Sequence, residues 1–232
     1  MIHACIGEIV DSSMKGYLVT GLLGLCLLLG MLGQFGSSWL TETDSETEGV
    51  EEEQNFGLRA QYTEMTCDKD MEAACEMTNS MYQAAANTTD YMEYDDGVIT
   101  IDTGEYHDEC VKNMEDSGNT SDELCDTLGE LVAAGTWGGI TLWMGTLACI
   151  VCLLVFYLPM LGVDLDSLPD NVAEVMTWSA GILTGLAVLI WYVLLPEGGD
   201  ASAGLSVWLT VTGALLGIGA GASNTFIPTD EL

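Results

Sequence analysis

Four long apolar stretches divide this chain. They are residues 16–36, 132–161, 175–196 and 202–226, and none of them contains Asp, Glu, Lys, Arg or His. A helix rises 1.5 Å per residue, so about 20 apolar residues cross a hydrocarbon core about 30 Å thick. The pattern therefore predicts four transmembrane helices, TM1 to TM4, joined by polar segments.

The polar segment between the first two apolar stretches, residues 37–131, carries shorter patterns of its own. Alternation of apolar and polar positions is typical of a half-buried strand, and apolar positions three or four residues apart are typical of a helix. Together they predict an acidic turn or hairpin tip at 41–53, a strand at 55–67, a helix at 71–86, a strand at 91–103 with a turn at Asp96-Gly97, and a helix that starts near Ser121 and continues into TM2.

The basic residues predict the orientation of the chain. Lys15 is the only Lys or Arg close to a predicted span, and positive charges flanking a span favour the cytoplasmic side. We therefore expect a multi-pass protein of the cell membrane with both termini in the cytoplasm. The predicted order is a cytoplasmic N-terminus (1–15), TM1, an extracellular loop domain (37–131), TM2, a cytoplasmic loop (162–174), TM3, a short outer turn (197–201), TM4 and a cytoplasmic tail (227–232).

A signal peptide ending near Gly36-Ser37-Ser38 is the alternative for the N-terminal region. Its apolar part would be longer than the 7–15 residues that are usual for secretory signals. The length favours a retained membrane span.

The charge of the chain is strongly unbalanced. There are 36 acidic and four basic residues, a net charge of −32, and 26 of the acidic residues lie between Ser37 and Glu130. Such a surface repels nucleic acid and anionic lipid headgroups. Two interpretations remain open: a solvated surface suited to a saline environment, which we favour, and a surface that binds cations.

Four cysteines lie in the polar segment, at Cys67, Cys75, Cys110 and Cys125. Four cysteines allow three pairings, and we prefer the local one, Cys67–Cys75 with Cys110–Cys125. Disulfides are favoured over zinc because this segment has no C-x-x-C pair and only one histidine. That residue, His107, is interpreted as an exposed histidine rather than a metal ligand.

Two sequons for N-glycosylation, at Asn87 and Asn119, also fall in the predicted outer loop. Within TM2, Cys149-x-x-Cys152 is interpreted as small residues in helix packing rather than as a redox motif.

Small residues recur four positions apart in the apolar stretches, which lets helix backbones approach closely. We favour packing within one bundle, with side-by-side oligomerisation as the alternative. Tryptophans near the span ends, including Trp39, Trp178 and Trp191, are expected to lie at the membrane interface. The packing glycines are Gly135, Gly139, Gly181, Gly185, Gly213, Gly217 and Gly221.

Recognisable catalytic motifs do not occur in the sequence. The apolar stretches carry no ionisable group of the kind that transport usually requires. There is no phosphate-binding loop, nucleophile elbow or metalloprotease motif. We therefore expect no enzyme, with no catalytic residue, cofactor or metal site. The predicted fold class is a membrane all-α four-helix transmembrane bundle with a disulfide-bonded α+β extracellular loop domain.

The start of the loop resembles one family. Trp39 follows TM1, Gly57-Leu58-Arg59 comes next, and Cys67 and Cys75 follow. This order is similar to the loop signature of the claudin-like tetraspan superfamily, which includes the peripheral-myelin and epithelial-membrane proteins. That signature has tryptophan where this chain has Arg59, and this loop is about twice the usual length. The resemblance implies that Trp39, Gly57 and Leu58 seat a disulfide-bonded sheet.

The resemblance also implies a non-enzymatic role in adhesion, barrier formation or modulation of a partner. The alternative is a channel, or an accessory subunit of a transport or respiratory complex, with a cation-attracting acidic vestibule. A metal-storing or metal-sensing surface protein is a third class. We expect the lipid bilayer, protein partners or a second copy of the chain, and cations as binding partners, but no nucleic acid.

Overall fold

The computed structural model describes residues 2–44, 50–117, 123–158, 171–196 and 201–227. Asn119, residues 162–170 of the predicted cytoplasmic loop, the outer-turn residues 197–200 and the tail residues 228–232 lie outside these ranges. The elements are α1 (Ile2–Phe35), β1 (Leu40–Asp44), β2 (Val50–Phe56), β3 (Ala60–Cys67), α2 (Glu72–Ala86), β4 (Met92–Asp95), β5 (Val98–Asp102), α3 (Thr103–Ser117), α4 (Glu123–Tyr157), α5 (Val172–Leu194), β6 (Ser202–Ala203) and α6 (Leu205–Phe226).

Four of these helices are long and apolar enough to cross a membrane. They are the part of α1 from Met14 to Phe35, and all of α4, α5 and α6. Their exposed surfaces carry large apolar side chains, such as Leu28 at 55% exposure, Leu189 at 60% and Leu215 at 64%. Exposing a contiguous apolar surface of this kind to water costs free energy, and such surfaces are typical of proteins that contact lipid.

The chain divides into two compact units. The first, the helical unit, consists of the described residues of Met1–Gln34, Gly139–Leu189 and Trp208–Leu232. Small and medium-sized side chains fill its core rather than large ones, because closely packed helices leave little space between them. Its buried members are Val19, Leu23, Cys26, Ala148, Cys149, Cys152, Ala180 and Ala220.

Glycines allow the closest helix contacts in the helical unit. A Cβ atom at Gly217 would lie 2.6 Å from the Cα of Gly181, so α5 and α6 touch through their backbones. Gly213 faces Leu29 of α1, and Gly221 lies against the ring of Trp178. Gly185 makes only an ordinary contact, with the Cβ of Ala214, at 3.6 Å.

Lys15 has a structural partner in this unit. Its Nζ donates a hydrogen bond of 2.7 Å to the backbone oxygen of Ile227, just beyond the end of α6. The last carbonyls of a helix have no partner within the helix, and a cation there satisfies them. Lys15 therefore ties the beginning of the apolar part of α1 to the end of α6.

The second unit, the sheet unit, consists of the described residues of Phe35–Gly138 and Ile190–Val207. Its centre is an antiparallel sheet of six strands in the order β4-β5-β3-β2-β1-β6. The strand β6 has only two residues and comes from the connection between α5 and α6, where the sequence predicts a tight turn. Ala203 pairs with Leu40 and Ser202 with Thr41. The long connection between α1 and α4 and the short connection between α5 and α6 thus contribute strands to one sheet.

The strands differ from the prediction in two places. The stretch 41–53, predicted as a turn or hairpin tip, supplies the paired strands β1 and β2 on either side of residues 45–49, which lie outside the description. The predicted strand 55–67 is interrupted by a turn at Gly57–Arg59 that separates β2 from β3. The Asp96-Gly97 turn joins β4 to β5, and both residues have positive φ, 46° and 89°, as such a hairpin requires.

The helix α3 was not predicted from the sequence. Its first turn is capped by Asp102, whose Oδ1 accepts hydrogen bonds from the backbone N–H groups of Gly104 (2.9 Å) and Glu105 (3.0 Å). An Asp followed three residues later by Glu is a recognised N-terminal signal, and it is present here as Asp102 and Glu105. The predicted continuity of the Ser121 helix with TM2 is found in α4 from Glu123 onwards.

Candidate functional site

Trp39 is the anchor of the sheet unit. Its side chain is fully buried, and its ring meets the edge of Trp191 at a centroid distance of 4.9 Å. Its backbone N–H donates to the oxygen of Phe56 (2.8 Å), and its own oxygen accepts from the N–H of Gly204 (2.9 Å). Trp39 and Trp191 were expected at the membrane interface. Both are instead buried in the protein, because each fills the space beside the other.

The Gly57-Leu58-Arg59 turn is held from two sides. The Gly57 N–H donates to the oxygen of Ala60 (2.8 Å), which closes the turn, and Leu58 is buried. The oxygen of Arg59 accepts hydrogen bonds from the backbone N–H and the hydroxyl of Thr103 at the start of α3. Gly57 and Leu58 thus position a turn between β2 and β3.

Gly135 of α4 faces this turn. A Cβ atom at Gly135 would overlap the carbonyl oxygen of Leu58. Gly135 was predicted to pack against another helix, and the nearest atoms that it accommodates belong to the backbone of the turn. Gly139, one helical turn later, is buried.

Two disulfides tie the helices of the sheet unit to its strands and to each other. Cys67 at the end of β3 is bonded to Cys75 of α2, with a Cα–Cα distance of 6.5 Å. Cys110 of α3 is bonded to Cys125 of α4, at 5.7 Å. This is the local pairing preferred from the sequence, and both distances lie in the usual range for disulfides.

Replacement of Cys67 by serine should loosen the sheet unit. A disulfide typically contributes about 2–4 kcal/mol, mainly by restricting the unfolded chain. We expect faster trypsin cleavage after Lys69 in Cys67→Ser, with insertion of the apolar helices unchanged. The matched control is Met81→Ser in α2, because Met81 is 64% exposed. Unchanged protease resistance of Cys67→Ser would show that this disulfide does not stabilise the unit.

The two faces of the sheet differ in character. Directly paired residues lie on the same face, so the register places Glu53, Glu64, Val98 and Asp95 in one row. The neighbouring residues Glu51 and Glu93 follow by alternation along their strands. We call this surface the acidic face, defined by the five exposed carboxylates Glu51, Glu53, Glu64, Glu93 and Asp95.

Helices border the opposite face. Glu52 points away from Glu51 and Glu53, and partial burial together with the carboxylate of Glu52 raises the pKa of Tyr82 in α2. The buried residues Thr63 and Ile99 belong to this same face. The three successive glutamates 51–53 are therefore divided between an open face and a packed face.

Like charges oppose one another on the acidic face. Glu53 and Glu64 are direct partners in adjacent antiparallel strands. Like charges directly opposite each other destabilise the pairing, and cross-strand pairs in general change stability by up to about 1 kcal/mol. The amide of Asn55 donates to Glu53 (2.9 Å) but does not neutralise its charge. In the described part of the chain, Nδ1 of His107 lies 3.8 Å from the Asp108 carboxylate, a contact that is an ion pair only when the imidazole is protonated.

Neutralising Glu64 should stabilise the sheet unit at low salt. We expect Glu64→Gln to raise its free energy of unfolding by up to about 1 kcal/mol. The gain should vanish near 1 M salt, where the Debye length is about 3 Å. Glu76→Gln in α2 is the control, since it removes the same charge without a register partner. Thermal unfolding followed by near-ultraviolet circular dichroism measures both, and an equal gain in the control would refute the pairwise explanation.

The remaining polar groups of the sheet unit are dispersed. Asn87 follows α2 and is exposed, and its side-chain amide donates to the oxygen of Gln83 (2.8 Å). Tyr91 stacks on Tyr106, and partial burial, Glu109 and Tyr106 raise the pKa of Tyr91. His107 lies against Gly129 of α4.

The acidic face is an extended charged surface rather than a converging site. Among the described residues, no group of three or more His, Cys, Asp or Glu side chains lies close enough to hold a metal ion. Carboxylates spread over several strands create a broad negative potential that attracts cations and basic surfaces. This arrangement supports recognition by charge and shape.

Compared with known proteins, the chain matches no protein-family model and no curated protein sequence.

Proposed function

We propose that this chain is a multi-pass protein of the cell membrane whose sheet unit lies outside the cell and acts by contact. In this proposal α1, α4, α5 and α6 cross the bilayer, with both termini in the cytoplasm. The protein would resemble the claudin-like tetraspan superfamily in architecture. Its role would be adhesion, barrier formation or modulation of a partner protein, without catalysis.

The pairing of β6 with β1 is the observation that carries the proposal. The strand β1 follows α1, and β6 lies between α5 and α6. Strands in one sheet cannot lie on opposite sides of a bilayer, so both connections must share a side if the four helices cross. Both termini then lie on the side of the bilayer opposite to the sheet. Lys15, which flanks the first span on that side, favours its assignment to the cytoplasm.

The two disulfides support an outside location for the sheet unit. Disulfides persist in oxidising compartments and are rare in the cytoplasm. Cys67–Cys75 and Cys110–Cys125 are both in the sheet unit. Two disulfides also stabilise the unit, so its surface can be recognised in one defined conformation.

The interior of the helical unit favours contact over conduction. Its core is filled by residues such as Leu23, Cys149 and Ala180. The hydroxyls of the buried residues Thr177 and Thr184 donate to the carbonyls one turn earlier, those of Ala173 and Ala180. Hydroxyls bonded to their own helix offer little to a permeating ion, which needs groups that can replace its water.

The acidic face defines the kind of partner. A second copy of the same face would be repelled at low salt and tolerated when salt screens the charges. A basic surface would be attracted under both conditions, more strongly at low salt. The proposed partners are therefore a cationic protein surface or, in a saline environment, a second copy of the chain.

Purified protein in lipid vesicles and planar bilayers separates this proposal from its alternative. We expect no conductance above that of empty bilayers. Vesicles carrying the protein should cluster at about 1 M NaCl, where the Debye length is about 3 Å, and stay dispersed at 0.01 M, where it is about 30 Å. Vesicles carrying Cys67→Ser, with a loosened sheet unit, are the control and should cluster less.

Cation-selective conductance would contradict the proposal. It would favour the alternative, a channel or an accessory subunit with a cation-attracting vestibule. Clustering that is strongest at low salt would contradict contact between like-charged acidic faces.

A further inference from the structure

Three cysteines occupy the core of the helical unit. Cys26 of α1 and Cys149 and Cys152 of α4 are free and buried. The sequence motif Cys149-x-x-Cys152 directs attention to those two residues. The geometry selects another pair, because the sulfur of Cys149 lies 3.5 Å from the sulfur of Cys26 on a different helix.

We propose that Cys26 and Cys149 form a reversible disulfide that staples α1 to α4 when the protein meets a small peroxide. The two sulfurs need to approach from 3.5 Å to about 2.05 Å, the length of a disulfide bond. A shift of this size is within the reach of small changes in the two side-chain torsions. The inference concerns the helical unit and does not depend on the partner of the acidic face.

The backbone of α6 lies against Cys26. A Cβ atom at Gly217 of α6 would lie 2.9 Å from the Cys26 sulfur, so this sulfur packs directly on the backbone of α6. Cys26 has 1% of its surface exposed, and Cys149 also has 1%. Two thiols confined at this separation have a high effective concentration for each other.

Cys152 has a different environment. Its sulfur lies 3.1 Å from the hydroxyl oxygen of Thr177 on α5. It is as buried as the other two cysteines, at 0% exposure. Cys152 is therefore a matched control that shares the helix, the burial and the residue type of Cys149.

The chemistry balances with hydrogen peroxide as the oxidant. One thiol attacks the peroxide, the O–O bond breaks, and a sulfenic acid and one water molecule form. The second thiol then attacks the sulfenic sulfur, the S–S bond forms, the S–O bond breaks, and a second water molecule leaves. Two thiols thus lose two electrons and two protons, and one peroxide becomes two waters.

Burial determines which oxidants can act. Thiols in apolar surroundings react slowly because the thiolate is the attacking species. Large or charged reagents are excluded from the core, whereas hydrogen peroxide is small and uncharged. We therefore expect slow oxidation by peroxide and much weaker oxidation by a bulky, membrane-impermeant disulfide reagent. Thioredoxin-like proteins would reduce the Cys26–Cys149 disulfide poorly, but a small permeant dithiol would reduce it.

The four basic residues of the chain give a direct assay. Trypsin cuts after Lys15, Arg59, Lys69 and Lys112, so residues 16–59 form a fragment whose only cysteine is Cys26. Residues 113–232 form a fragment with Cys125, Cys149 and Cys152. The two loop disulfides do not hold the 16–59 fragment, because neither includes Cys26.

The experiment uses the purified full-length protein in detergent micelles. It is treated with hydrogen peroxide and then denatured in the presence of N-ethylmaleimide, which blocks the remaining free thiols. The protein is then digested with trypsin and run on a non-reducing gel. We expect the 16–59 fragment to remain attached to the 113–232 fragment and to be released by dithiothreitol, while Cys152 of the 113–232 fragment carries N-ethylmaleimide. Attachment should be lost in Cys26→Ser and Cys149→Ser and retained in Cys152→Ser.

Release of the 16–59 fragment from oxidised wild-type protein, with both loop disulfides intact, would overturn the proposal. Attachment that persists in Cys149→Ser and disappears in Cys152→Ser would also overturn it. Mass mapping of the linked cysteines in the wild-type protein decides the matter even if a serine variant fails to fold.

Discussion

Trp39→Ala should strongly destabilise the sheet unit. Trp39 is fully buried against Trp191, and its backbone joins the oxygen of Phe56 to the N–H of Gly204. Removal of a buried tryptophan side chain typically costs about 3–5 kcal/mol, because contacts are lost and a cavity remains. A unit whose stability is of the order of 5–15 kcal/mol would lose a large part of it. Trypsin cleavage after Arg59 and Lys69, as a function of time, measures the population of the opened unit.

Two variants control this experiment. Trp39→Phe keeps an aromatic ring beside Trp191 and should lose less stability than Trp39→Ala. Met77→Ala in α2 removes a side chain that is 68% exposed and should change cleavage little. If Trp39→Ala is cleaved no faster than Met77→Ala, Trp39 does not seat the sheet.

Gly217→Leu should separate the helices of the helical unit. Even a Cβ atom at Gly217 would lie 2.6 Å from the Cα of Gly181 and 2.9 Å from the sulfur of Cys26. Helices in lipid associate mainly through close packing, since burial of apolar surface adds little there. Overpacking costs about 1–3 kcal/mol, and leucine against a backbone belongs at the upper end. Unfolding in detergent with rising dodecyl sulfate content measures the loss.

Gly219→Leu is the matched control. It lies two residues further along α6, and a Cβ atom there would meet no atom within 4 Å. Both changes introduce the same side chain into the same helix, so intrinsic helix propensity cancels. Equal stability of Gly217→Leu and Gly219→Leu would refute the close contact between α5 and α6.

Local patterns in the sequence were sufficient for much of the fold. The four long apolar helices and α2 correspond to patterns that extend over many residues, and such patterns are the most informative. The hairpin at Asp96-Gly97 follows from the backbone that these residues favour. The preferred pairing of Cys67 with Cys75 rested on the same local patterns, and the structure contains that bond.

Long-range pairing was beyond the reach of these patterns. The strand β6 is only Ser202–Ala203, too short for any alternation, and its partner β1 is about 160 residues away. The burial of Trp39 against Trp191 could not be predicted either, because a tryptophan near the end of a span has the same local sequence pattern whether it faces lipid or protein. Gly135 likewise matched a helix-packing pattern, although its neighbour is the Leu58 turn.

The location of the sheet unit is the claim on which the proposed function rests, and thiol labelling of intact cells tests it most directly. An impermeant thiol reagent is applied from outside, before and after reduction, and Cys67, Cys75, Cys110 and Cys125 are mapped by mass spectrometry. We predict that all four are paired and become labelled from outside only after reduction. Free thiols that are labelled only after lysis would place the sheet unit in the cytoplasm and contradict the proposal.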